Sequence, residues 1–273
     1  MRLNFPGLVS LVCLSCSFTA IAADVYDVAD VADLYHSAEP ERTKTGIRIG
    51  YMNVLDERDN APSDTEVINL YHAQINDWGS AVGWVLMENP FNSVENVQGG
   101  KTGPTTKTFL RLDYDLNDVH TNAWLQSFFM GNRITTESNT YLGLSQGFQF
   151  GRGHGGVSLG VNYTYGAASI PIGEGMKLDS QFAGMNGGAV TVRYGMPITQ
   201  RLAGMVYYEA QFGRDKEAQE ALCYDSFGSQ LMVALEASIT KQLTAGVNYH
   251  YFDNWGGYKS GTSQIDFTIG YTF

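Results

Sequence analysis

Five histidines, a glycine-rich string and a set of charged residues inside alternating segments are the positions where this sequence has the means to do chemistry. Ester hydrolysis or acyl transfer needs a serine and a histidine within hydrogen-bond reach, with a third group orienting the imidazole. His36 lies in an acidic N-terminal stretch, and His120 and His154 fall in short turns. His72 and His250 read as members of polar, inward-facing registers, and no serine shares an outward face with a histidine. Histidine, cysteine and aspartate do not cluster at metal-ligand spacing either. Gly151-Arg152-Gly153-His154-Gly155-Gly156 fits G-x-G-x-x-G, but a dinucleotide fingerprint needs a helix after it. The segment that follows alternates with a period of two, so the string is a glycine-rich turn. Neither catalysis, nor a cofactor, nor a metal is expected.

The charges say more. Arg48, Lys107, Arg111, Asp113, Asp115, Arg193, Glu209, Glu236, His250 and Asp266 fall opposite the apolar positions of their segments. If the apolar side meets lipid, these ten face an interior, because a lipid-facing Arg or Lys at mid-membrane costs about 2–4 kcal/mol. Two arrangements follow. The charges line a water-filled constriction and select by size and charge, or they pair across the interior and close it. Much of the same face is Gly, Ser, Thr or Asn. Twelve strands enclose more space than such side chains fill, so an open or partly open polar lumen is expected.

The elements that hold these residues are strands. At the C-terminus Ile265, Phe267, Ile269, Tyr271 and Phe273 alternate with Gln264, Asp266, Thr268, Gly270 and Thr272. One face is apolar and aromatic to the last residue, the other polar. The cleanest repeats of this pattern are 107–116, 157–166, 189–196, 229–240 and 243–252, with weaker ones at 45–53, 66–76, 79–87, 122–132, 140–150 and 202–213. In 122–132 the period is ambiguous, since Trp124, Phe128 and Met130 share one face while Leu125 and Phe129 share the other. That makes about twelve strands. The segments between them alternate in length: 53–65, 88–106, 133–139, 167–188, 214–228 and 253–262 are mostly long, whereas 77–78, 117–121, 151–156, 197–201 and 241–242 are tight. An antiparallel up-and-down barrel with both termini in the periplasm predicts this sorting, with long extracellular loops and short periplasmic turns. A soluble β-sandwich does not. Tyr51, Trp84, Tyr114, Tyr163, Tyr165, Tyr194, Tyr208, Tyr249, Tyr251 and Tyr271 are read as outward interfacial girdles.

Residues 1–23 read as a secretory signal peptide: Arg2, an apolar run at 8–14 and the small-x-small Ala20-Ile21-Ala22. Residues 24–42 read as an acidic leader with Asp at 24, 27, 30 and 33, expected to be mobile given how short helices behave, with a short amphipathic helix at the membrane or inside the barrel as the alternative. Residues 43–273 are the barrel. After the signal one cysteine remains, Cys223, so no intramolecular disulfide forms. It falls in a charged loop and is read as incidental. The formal charge of −11 becomes about −12 once Arg2, the signal's only charge, is removed. That acidity argues against nucleic acid as a partner.

The closing Tyr271-Thr272-Phe273 resembles the C-terminal assembly signal of Gram-negative outer-membrane barrels. With the signal peptide and the length-sorted loops, the chain resembles a small monomeric outer-membrane porin. Two families have this size, the nucleoside-specific channels and the oligogalacturonate-type porins. The second is associated with arginine-rich lumens, whereas here the inward arginines are few and matched by Asp and Glu. Asp77-Trp78-Gly79 leading to Glu88-Asn89-Pro90-Phe91 resembles the nucleoside channels. The resemblance implies a cell outer-membrane location, outer-membrane lipid and lipopolysaccharide as surroundings, and the barrel-assembly machinery as a partner through 271–273. It implies passive diffusion of small polar solutes. The alternative is a non-conducting surface barrel (adhesin, phage receptor or solitary autotransporter-like domain) acting through its loops.

Overall fold

The computed structural model describes residues 42–55, 64–92, 103–116, 121–173, 176–256 and 261–273. The signal peptide, the leader up to residue 41, His36 and His120 lie outside the described residues. Twelve strands form: β1 (Arg42–Val54), β2 (Thr65–Asn76), β3 (Gly79–Glu88), β4 (Thr105–Asp115), β5 (Thr121–Gly131), β6 (Thr135–Phe150), β7 (Gly153–Gly173), β8 (Met176–Pro197), β9 (Leu202–Phe212), β10 (Phe227–Ser238), β11 (Leu243–Asp253) and β12 (Thr262–Thr272). Each pairs antiparallel with its sequence neighbours, and β12 also pairs with β1, so the sheet closes on itself. Closure runs through Ile47↔Tyr271, Ile49↔Ile269 and Tyr51↔Phe267, the apolar positions on which the last strand ends. A closed ladder leaves no edge unpaired, which is what a sheet surrounded by hydrocarbon requires.

Alternation sorts the side chains. On β7, Leu159 is 60% exposed while its neighbours Ser158, Asn162 and Thr164 are buried. Leu142, Ile49, Phe267 and Ile269 are likewise exposed outward. In water such a surface would drive aggregation, whereas in a bilayer it is the solvated face. Among the described residues no helix is long and apolar enough to cross a membrane.

Connections sort by end as expected. Turns 77–78, 151–152, 198–201 and 239–242 lie with the barrel termini, and the longer connections lie at the opposite end. Two segments expected as loops are mainly strand. Of 133–139, only the first two residues precede β6. The stretch 167–188 is a hairpin, with Ala167↔Gln181 and Ser169↔Asp179 continuing the β7–β8 ladder past the wall. A crossing strand needs only about 9–11 residues, so these strands of 21 and 22 residues project beyond the lipid. Above the lipid neither face must be greasy, which is why no alternation marks them. A register shift opposite Asn162, with Gly187 at φ +74°, bends the hairpin where it leaves the wall. Lower down, Gly143 pairs with Gly160, and a Cβ on either would come within 2.1 Å or 2.3 Å of the facing strand's carbonyl oxygen. At this glycine pair the two backbones come too close for any side chain.

The stretch 214–228 was expected as a charged loop, and its last two residues already belong to β10. It carries helix α1 (Lys216–Leu222), capped by Asp215 accepting from the Glu217 amide and ended by Cys223 in the left-handed region. Cys223 is buried there.

Candidate functional site

The barrel interior has two unlike walls. Across β1 to β5 about half of the buried inward residues are apolar: Met52, Val67, Tyr71, Ala73, Val82, Trp84, Leu86, Phe109, Phe128 and Met130 form one packed cluster. Trp84 stacks on Phe109 with ring centroids 5.6 Å apart and planes 12° apart, and meets Phe128 edge-on at 6.4 Å. Trp84 was expected in the outer girdle. It faces inward at 3% exposure because β3 is apolar on both faces, with Val85 and Met87 taking the lipid side. Within this wall both polar atoms of the Asn69 amide and the Trp84 indole N–H are buried without a hydrogen-bond partner. Such groups cost free energy unless something satisfies them.

The other wall is polar and ion-paired. Arg111 on β4 donates to Asp113 through Nε (2.7 Å) and Nη2 (2.9 Å), to Gln126 Oε1 on β5 (3.2 Å), to Ser158 Oγ on β7 (2.7 Å) and to Thr191 Oγ1 on β8 (3.1 Å). The Asp113 carboxylate also receives Arg193 Nη1 at 3.0 Å and Ser145 Oγ at 2.6 Å. One anion therefore serves two cations, and the chain of contacts ties β4 to β8. Next to it Glu209 on β9 accepts from Tyr207 (2.5 Å), Gln126 (3.2 Å) and Gln230 (3.1 Å). Burying a charge is tolerated only with this degree of pairing.

Further pairs occupy the rest of the circumference. Arg48 on β1 meets Glu236 on β10 at 2.6 Å and lies 4.5 Å over the Tyr71 ring. Lys107 pairs with Glu88, both fully buried. His250 Nε2 lies 2.8 Å from Asp266 Oδ2, which places the histidine in the interior as expected. Nine of the ten charges read from the sequence thus sit on the interior face, and all nine have polar or ionic partners. Asp115 is the exception: it follows the same alternation but is exposed at the strand end, beyond the last inward layer. His72 also departs from expectation. It lies on the outer register beside Leu70 and bonds Thr45 at 2.8 Å, so it belongs to the barrel's outside near the terminal end.

Several interior residues were missed: Glu88 and Glu137, placed in loops by an expectation that ended two strands short; Tyr141 and Tyr207; and Gln126 and Gln211, uncharged and so not searched for. Tyr207 had a signal, since it lies two residues from Glu209 on the same strand face. Among the described residues no group of histidine, cysteine and acidic side chains is arranged to hold a metal. Most of these interior side chains, charged and aromatic alike, are at 5% exposure or less, so the charges pair with one another across the interior rather than standing in open water.

No curated protein matches the sequence. Among solved structures the chain is similar to the NanC porin, with 11% identity, 84% of this chain and 100% of that chain covered, and a TM-score of 0.51. An outer-membrane channel from Pseudomonas putida F1 aligns at 9% identity, 92% and 100% coverage and a TM-score of 0.46. The outer-membrane channel DcaP of Acinetobacter baumannii aligns at 11% identity, 85% and 97% coverage and a TM-score of 0.41. At such identity the NanC likeness speaks for the fold alone. The sequence profile described as "Nucleoside-specific channel-forming protein, Tsx" matches residues 48–273, the whole circumference of the barrel. With the closed twelve-stranded wall and its polar interior, that match makes the chain a member of the Tsx family, an outer-membrane channel through which solutes diffuse.

Proposed function

We propose that the diffusing solutes are nucleosides, taken up in passing by the aromatic wall of β2 to β5. The family description supports this class of solute. The observation that carries it in this chain is the Trp84–Phe109 stack beside the unpartnered Asn69 amide and Trp84 N–H, groups at 5% exposure or less that a base reaches only as the cluster opens. A nucleobase presents a π face and an edge of donors and acceptors. Stacking on an aromatic side chain is worth about 1–3 kcal/mol per base, and an amide with free donor and acceptor complements the edge. The ion-paired wall then meets the ribose hydroxyls with dipoles rather than net charge. The ten charged residues read from the sequence would act here as lumen-lining groups in this sense, apart from Asp115 at the rim. The reading involves no covalent step, so the protein is a channel and not an enzyme.

Liposome swelling with nucleosides, free ribose and uronates in parallel tests the proposal. Nucleosides are expected to enter faster than their size allows and to reduce single-channel current reversibly, with Trp84→Ala weakening that block about tenfold. Equal behaviour of nucleosides and size-matched sugars would overturn it. A further part of the reading is that 271–273 serve the barrel-assembly machinery. Phe273 is 77% exposed; its backbone N–H donates to the Thr45 carbonyl at 2.9 Å and its ring meets Tyr271 edge-on at 5.9 Å. With Tyr271 it forms an exposed aromatic pair that assembly factors can recognise before closure. Phe273→Ser is expected to lower the outer-membrane level in cells while leaving refolding in detergent unchanged.

A further inference from the structure

The connection between β9 and β10 does not stand clear of the barrel. Gly213, at φ +64°, turns the chain so that Arg214 enters the mouth and is buried to 4% exposure. Its Nε donates to Gln211 Oε1 at 2.9 Å, and its Nη1 to the carbonyls of Asn254 (2.8 Å) and Asp225 (3.3 Å). The guanidinium lies 4.6 Å from the Tyr224 ring and 5.7 Å from that of Trp255. Burial lowers its proton affinity, while facing Tyr224 and Glu137 raise it again.

From there the connection reaches the far side. The Tyr224 hydroxyl donates to Glu137 Oε2 on β6 at 2.8 Å. Glu137 accepts from Asn139, which accepts from Thr164, which in turn accepts from Asn186. Asn186 Oδ1 then accepts the backbone N–H of Asp215, at the root of the same connection. The bonds form a closed circuit through β6, β7, β8 and back. Helix α1 is seated independently: Leu222 lies over Gly166, and Ser180 Oγ donates to the Ala221 carbonyl at 3.0 Å. A loop that served only as an outward display would have no reason to bury an arginine and a tyrosine between four strands.

We infer that this connection is a fixed eyelet at the loop end of the channel, in which Arg214 positions Tyr224 against Glu137 and the two residues set the size limit and charge preference for entering solutes. The eyelet carries a cation on one side and a carboxylate on the other, so it favours uncharged polar solutes over ions of either sign. It is distinct from the aromatic wall and rests on the channel reading, not on the identity of the solute. The connection 167–188 takes no part in it and instead continues the β7–β8 ladder past the wall.

The test uses the full mature chain in planar bilayers, with Arg214→Gln and the milder Tyr224→Phe, each checked for folding by its heat-dependent shift in gel mobility. Arg214→Gln is expected to raise single-channel conductance about twofold as the narrowest section widens, and to admit larger sugars in liposome swelling. Tyr224→Phe, which removes only the hydroxyl, is expected to change ion selectivity with little effect on size limit. Cys223, buried within the same connection at the end of α1, reports on it separately: a thiol reagent should label it in Arg214→Gln and not in the unmodified protein. A conducting parent whose folded Arg214→Gln variant keeps the same conductance, size limit and thiol protection would overturn the eyelet alone. A parent that inserts but never conducts would overturn the channel reading, and the eyelet with it.

Discussion

Replacing Asp113 by Asn should be among the most costly single changes in the barrel. The carboxylate accepts two bonds from Arg111, at 2.7 and 2.9 Å, one from Arg193 at 3.0 Å and one from Ser145 at 2.6 Å. Three of the four come from guanidinium groups, and bonds to charged groups are worth about 1.5–3 kcal/mol each. Gross, that is roughly 4.5–9 kcal/mol. Relaxation and the entry of water reduce it, and removing one partner of a buried pair typically costs about 3–5 kcal/mol. The Asn amide makes matters worse, since its N–H₂ faces donors. The larger part of the penalty is the pair of guanidiniums left with no anion between them. Arg193→Met on its own leaves Asp113 matched to Arg111 and should cost about 1–2 kcal/mol. In the Asp113→Asn background the same change removes a surplus cation, so the double variant should recover at least about 1 kcal/mol relative to the sum. Denaturant unfolding in detergent micelles, followed by tryptophan fluorescence, measures all four corners of the cycle. An Asp113→Asn variant within about 1 kcal/mol of the parent, or strict additivity, would refute the claim that this anion holds β4 to β8.

Other expectations follow from the same geometry. Leu159→Arg, at a position 60% exposed on the outer face, should lower stability in lipid by about 2–4 kcal/mol. The same protein in denaturant should unfold to an unchanged baseline, and no loss in lipid would mean the face is not lipid-exposed. Gly160→Ala should cost about 1–3 kcal/mol or prevent closure, since its Cβ would fall 2.3 Å from the Leu142 carbonyl oxygen. The heat-dependent gel shift and the unfolding midpoint measure it. Gly151→Ala, where a Cβ meets nothing but the φ is +60°, separates backbone strain from crowding and should cost about 1 kcal/mol.

What the sequence disclosed depended on contrast between the two faces of each strand. On β7, β11 and β12 small polar residues alternate with Val, Leu, Tyr and Phe, so inside and outside separate on inspection. On β2 and β3 the interior is itself apolar, with Val67, Tyr71, Val82, Trp84 and Leu86 inward and Leu70, Val85 and Met87 outward. A period of two cannot be read when both phases are greasy. That is why Trp84 was assigned outward and His72 inward, each one register from its place. The ambiguous β5 resolves for the same reason: Trp124, Phe128 and Met130 are buried in the interior while Phe129 faces out. Strand ends were the other weakness, since 167–188 lost its lipid-facing pattern without losing its ladder. Pairing partners were beyond reach altogether. Arg48 and Glu236 are 188 residues apart, and nothing local to either marks the other.

The pairing is also the strongest reason to think about neutral solutes. Each interior cation identified from the sequence has an anion beside it: Glu236 for Arg48, Glu88 for Lys107, and Asp113 for both Arg111 and Arg193. His250 lies against Asp266. A lumen meant to draw acidic sugars would leave guanidiniums unmatched, because the attraction depends on uncompensated charge. A lumen that matches them presents dipoles, which bind hydroxyls and amides but gain little from an ion and charge it for losing its water. The chain's surplus of acidic over basic residues does not alter this, since screening by salt confines exposed charge to about 10 Å or less while the paired interior is set by direct contact. Selectivity in this barrel is therefore written less in which charges are present than in how completely they cancel, and the aromatic wall is left as the surface that distinguishes one neutral solute from another.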